Sequence, residues 1–141
     1  MHELSSDQDL RKVLQEAHTI AVLGAHPEAS RPAHYVPDYL HRKGYQVLPV
    51  NGQHAGKELW GQAVRAKLSD LDQPVDIVDV FRRADALDAH LPEILAMQPR
   101  PKLVWLQQGI RNDEFARRLL DEGIAVVQDR CTMAEHGRLL G

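Results

Sequence analysis

The chain has 141 residues, 43% of them apolar and 26% charged, with a formal net charge of -3 and one cysteine. That length supports one core and leaves no room for a second catalytic domain. A single cysteine excludes an internal disulfide framework and cysteine-pair zinc motifs, and the mildly acidic total supplies no global field for nucleic acid or an anionic membrane.

The opening residues MHELSSDQDL are polar and acidic, and the longest apolar runs are strand-sized, well short of the roughly 20 residues that cross a bilayer. The expectation is a soluble cytoplasmic protein. A helix is predicted over SSDQDLRKVLQEA (5–17), with Ser5 or Ser6 as its cap and Asp7 and Asp9 in the first turn, where the helix dipole favours negative charge. TIAVLGA (19–25) reads as a buried strand. YVPDYLHRKG follows as a helix that closes on Gly44, and QVLPVN (46–51) as the second strand. Residues 52–74 lack a period and suggest a loop with a short helix. VDIVDV (75–80) and KLVWLQ (102–107) are further strands, NDEFARRLLDEG is a helix ending at Gly123, and AVVQD (125–129) is the last strand. Trp105 is expected between sheet and helix, and Trp60 to pin its own loop to the core.

Alternating strands and helices of this size predict an α/β fold, a doubly wound parallel sheet of about five strands, in one domain spanning 1–141 with the helix of 1–17 packed on it. In such sheets a ligand sits outside the carboxyl ends of the strands. Those ends carry Arg31, Arg82, Arg83, Arg111 and Arg130 with Gly24, Gly52 and Gly109. The expectation is one cationic edge suited to phosphate oxygens. Arg111 is the weakest member, because Asp113 or Glu114 can pair with it.

The turn after the first strand, GAHPEASRP, keeps only the first glycine of a G-x-G-x-x-G fingerprint, and Pro27 removes an amide donor. Asn51 stands where a nicotinamide-dinucleotide site would place an acid at the end of the second strand. Standard NAD binding is disfavoured. Ser30-Arg31-Pro32 offers an anion site at the helix start instead, with Ser30 as a possible cap and Pro32 preorganising the first turn. Cys131 follows Arg130 at the start of the last predicted helix, a place open to thiolate chemistry, although a half-buried structural thiol is the simpler reading. The eight histidines form no HExxH or His-x-His grouping, so no metal site is expected.

The segments IAVLGAHPEASRPAHYVPDYLHRKGYQVLPVN, DIVDVFRRADAL, VWLQQGIRNDEFA and VVQDRCTMAEHGRL, in that order, resemble the small stand-alone CoA-binding proteins related to the CoA-binding N-terminal domain of the succinyl-CoA synthetase alpha subunit. The resemblance covers most of residues 20 to 139. It implies a Rossmann-like fold that holds coenzyme A, free or acylated, across the carboxyl edge. Carried over position by position, the contacts would be Gly24, Ser30, Arg31 and Pro32 from the first loop, Val50 and Asn51 from the second strand, and Phe81, Arg82 and Arg83 from the third. Gln107, Gly109, Ile110, Asp129, Arg130 and Cys131 would line the remaining wall. Glu28, beside the expected phosphates, should then point outward. The phosphorylated histidine and ATP-grasp partner of the synthetase reaction belong to parts not found here, so the resemblance implies binding without catalysis. Alternatives are an NAD(P)-linked enzyme, a Cys131-dependent acyl transferase, or a protein-interaction module.

Overall fold

The structure is a computed structural model, and it describes residues 2–141. The first helix, α1 (Asp7–Glu16), starts where Ser6 Oγ accepts the amide N–H of Asp9 at 3.1 Å, and it buries Leu10 and Leu14 four residues apart. Then come β1 (Thr19–Leu23), α2 (Pro32–Arg42), β2 (Gln46–Val50), β3 (Ile77–Val80), α3 (Leu91–Leu95), β4 (Leu103–Leu106), α4 (Asp113–Asp121), β5 (Ala125–Val127) and α5 (Thr132–Leu139). Each predicted strand is present, shortened by one or two residues: β1, β2 and β5 where the chain turns into the functional loops, β3 at its start and β4 at both ends.

All five strands are parallel, in the order β2-β1-β3-β4-β5. Their side chains alternate between two cores. Ala21, Leu23, Val78, Val80, Val104 and Leu106 pack with Leu91 and Ile94 of α3 and with Phe115 and Leu119 of α4. Ile20, Val22, Ile77, Leu103 and Trp105 face the opposite way, against Leu10 and Leu14 of α1 and Leu40 of α2, and α5 lies beside α1 and α2. Burial on both faces is why the strands read as nearly continuous apolar runs. Trp105 is fully buried, with its indole N–H donating to the Arg130 carbonyl at 2.7 Å.

The 52–74 region differs from its expectation. A 3-10 turn (Gly52–His54) leads to a two-stranded hairpin, Glu58–Leu59 with Gln62–Ala63, and a second turn spans Leu68–Asp70. Its Arg65 pairs along β2 through Asn51 N–H to Arg65 C=O (2.9 Å) and Arg65 N–H to Pro49 C=O (3.1 Å), covering the sheet edge. Trp60, half-buried, packs its loop onto the core as expected. The strand order reverses direction between β1 and β3, so their carboxyl ends form the crevice where open α/β sheets bind ligands.

Candidate functional site

Gly24 opens that crevice with φ +95, and a Cβ there would lie 3.0 Å from the carbonyl oxygen of Phe81. Only glycine satisfies both the positive φ and this approach of the β1 end to the β3 end. The Gly24 and Ala25 amides donate to the Val50 carbonyl at 2.8 and 3.3 Å, so neither is free for a pyrophosphate. The failed fingerprint is therefore a turn whose amides serve the sheet.

The loop is stitched to α2 instead. Pro37, inside α2, has no N–H to give the Ala33 carbonyl, and that carbonyl accepts from His26 N–H at 3.2 Å. His34 Nδ1 donates to the His26 carbonyl at 2.8 Å. Arg31, not Ser30, occupies the cap position of α2, and it makes no side-chain cap bond. The Ser30 hydroxyl donates to Glu28 Oε1 at 3.0 Å, and Arg31 Nε donates to Glu28 Oε2 at 3.2 Å. The Ser30 hydroxyl, then the Arg31 guanidinium, hold the Glu28 carboxyl below its ordinary range. Glu28 is exposed, as expected, but it engages the two groups read as phosphate donors.

A cleft of about 970 Å³ runs from this loop across the ends of β3 and β4 to α5. It is lined by Gly24, Arg31, Pro32, Asn51, Phe81, Arg82, Arg83, Gln107, Gly109, Ile110 and Cys131 among the expected residues. Its first half is cationic. Arg82 is partly buried, no carboxylate among the described residues is within ion-pair distance of it, and its Nε is sealed from solvent with no acceptor. Its Nη2 reaches Asn51 Oδ1 only at 3.4 Å. Asn51 is fixed by donating to the Ala25 carbonyl at 2.8 Å and accepting from Gln53 N–H at 2.9 Å. Arg83 is exposed and paired with Asp85 at 2.8 Å. The second half is mostly neutral, with Phe81, Ile110, Cys131 and Met133 around Gln107.

The single cationic edge expected from five arginines does not form. Arg130 turns away, bonding Glu135 at 3.3 Å and the Ser5 carbonyl at 3.2 Å, and Arg111 pairs with Glu3 and Asp113 at 3.0 and 2.8 Å. The N-terminal segment that supplies Glu3 and Ser5 lies beside β5, where Leu4 N–H donates to the Val126 carbonyl at 2.7 Å. Arg130 and Asp129 line a neighbouring groove of about 440 Å³ that meets the cleft at Cys131. Asp129, at φ 57, accepts the Gly109 amide at 2.7 Å and shapes the loop after β4. Val50 is fully buried, so it acts through its carbonyl behind the first turn, and Ser30 does not line the cleft. Cys131 is half-buried at the cap position of α5, as expected, with no side-chain cap bond.

Other lining residues lie outside the sequence expectation, among them His26, Tyr35, Gln53 and Met133. Tyr35 is the one large hydrophobic residue exposed among the described residues, at 42%. Behind the wall lies Asp79, fully buried in β3. Its Oδ1 accepts from Gln107 Nε2 at 2.6 Å and its Oδ2 from the Thr132 hydroxyl at 3.0 Å. Burial pushes its pKa up to about 7, against the pull of those two hydrogen bonds. Asp79, the second of two aspartates in VDIVDV and the one with apolar neighbours running to the strand's end, was the available signal for this group.

Comparison with known proteins adds a second kind of observation. The profile of the family described as CoA binding domain matches residues 18–137. The uncharacterized protein YneT of Bacillus subtilis (strain 168) is 32% identical over 131 residues, covering 93% of this chain and 94% of its own. A solved structure from Thermus thermophilus, cell-free ID.343, is 58% identical with a TM-score of 0.92, covering 96% of this chain and 100% of its own. A hypothetical protein from Pyrococcus horikoshii OT3 is 31% identical with a TM-score of 0.88, covering 100% of both chains.

Proposed function

This chain belongs to the CoA-binding domain family, and from that premise we propose that it binds CoA or an acyl-CoA without catalysing a reaction of its own. The observation that carries this reading is Arg82: a partly buried guanidinium at the strand switch point, lining the cleft, with no carboxylate partner and no acceptor for its Nε among the described residues. Such a group is completed by an anion, and a guanidinium fork suits phosphate oxygens. Arg31 would join it once phosphate oxygens displace Glu28, a rearrangement that is cheap because the Arg31–Glu28 pair is exposed. Tyr35 and Phe81 line the cleft and would stack against a base, and the neutral half toward α5 has room for an uncharged arm.

The order of residues also argues against a nicotinamide dinucleotide as the ligand. The amides of the first turn are consumed by Val50, and the end of β2 carries Asn51 where ribose hydroxyls would need an acid. Thermal unfolding tests the reading. CoA at about 100 times its Kd should add about 2.7 kcal/mol and raise the melting temperature by several degrees, while NAD should leave it in place. Equal shifts with both ligands, or none with CoA, would refute it.

A further inference from the structure

Gln107, at the end of β4, is 5% exposed and yet lines the cleft. Its amide nitrogen is doubly committed inward, to Asp79 Oδ1 at 2.6 Å and to the Thr132 hydroxyl oxygen at 2.8 Å. With Asp79 ionised and the Thr132 hydroxyl donating to it, the opposite amide orientation would set an oxygen against both of those oxygens. Thr132 is itself locked, since its hydroxyl proton goes to Asp79 Oδ2 at 3.0 Å. Gln107 Oε1 is thus left without a protein donor among the described residues. It is not sealed in, because the one sealed, unpartnered side-chain atom among the described residues is Arg82 Nε. Its open side is the cleft that Gln107 lines.

We propose that Gln107 is a specificity-determining residue, whose Oε1, held outward by Asp79 and Thr132, accepts an N–H from an amide in the uncharged arm of the bound ligand. The proposal rests on the CoA-binding reading. An acceptor backed by a buried carboxyl group repels phosphate, which leaves the anionic part of the ligand to Arg31 and Arg82. The surroundings, Phe81, Ile110 and Met133, suit a neutral chain, and in an apolar wall an unmet acceptor favours a ligand that brings a donor. Asp79 and Thr132 act through Gln107 and are positioning residues.

Calorimetric titration of CoA and of adenosine 3′,5′-bisphosphate, which lacks the arm, tests this on wild type and Gln107→Met. The variant should lose about tenfold in CoA affinity, the scale of one hydrogen bond to a buried group, and bind the bisphosphate as wild type does. Unchanged CoA affinity would overturn the assignment. So would equal losses for both ligands, which would make Gln107 a reader of the nucleotide or a support of the fold. A wild type that binds neither ligand would instead refute the CoA reading itself. If Gln107→Met does not fold, Thr132→Val removes one of the two holds on the amide and should show the same selective loss, smaller in size; no selectivity between the ligands would again overturn it.

Discussion

Asp79 shows how much one side chain can set at the residue scale. It is a carboxyl group in the middle of a four-residue buried strand, satisfied only by neutral donors, and its pKa stands at about 7 where an ordinary aspartate has 3.8. A folded pKa raised in this way makes the native state bind more protons than the unfolded one between those values. The stability it contributes is therefore full below pH 3.8 and is lost as pH rises through about 7. The rise corresponds to about 4 kcal/mol as an upper figure. Asp79→Asn keeps the size and can still accept from Gln107, so the variant should gain stability relative to wild type between pH 5 and pH 8. Urea unfolding at the two pH values reads this directly, and an identical difference at both would show that Asp79 does not titrate there. The sequence displayed the anomaly, Asp79 as the second of two aspartates in VDIVDV, but not its partners, because Gln107 and Thr132 come from distant segments. The Glu28–Ser30–Arg31 cluster was hidden for another reason: three exposed polar residues in a loop have several ways to pair, and sequence does not rank them.

At the scale of elements, the parts legible in the sequence were those set by local chemistry. Strands appeared as buried apolar runs, α1 through its Ser6 cap, and α2 and α4 through glycines at positive φ after their ends, Gly44 and Gly123. The 58–63 hairpin was not legible, since strands of two residues are too short to show a period of two. The direction of Arg111 and Arg130 was also out of reach, because it depends on an N-terminal segment lying against β5 and bringing Glu3 and Ser5 to them. The first turn lies between these cases: its lone glycine could be read, but the use of its amides by Val50 needed the register of β1 against β2. Gly24→Ala tests that joint. Positive φ and a 3.0 Å approach to the Phe81 carbonyl should make it destabilising by about 1–3 kcal/mol, seen as a lower urea midpoint with unchanged slope. A midpoint equal to wild type would mean that the β1 and β3 ends move apart freely.

Across the whole molecule, of the five strand-end arginines in a protein of net charge -3, only Arg82 at the β1/β3 switch point has no carboxylate partner among the described residues, while Arg111, Arg130 and, beside them, Arg138 are tied down by carboxylates around the N-terminal segment. The parallel sheet brings Gly24, Asn51, Arg82 and Gln107 from four strand ends into one cleft, and that convergence follows from topology rather than from any local motif. The alternation of strands and helices was enough to locate the edge. Which side chains face it required the packed structure, as the departure of Arg130 and Val50 from the cleft shows. The central claim, that this cleft is a CoA site organised around Arg82, is tested most directly by calorimetric titration of CoA onto wild type and Arg82→Ala. The account predicts saturable binding of one CoA per chain and a loss of about tenfold or more in the variant, the scale of a charge-assisted hydrogen bond. No heat with the wild type, or equal affinity in the two proteins, would contradict it.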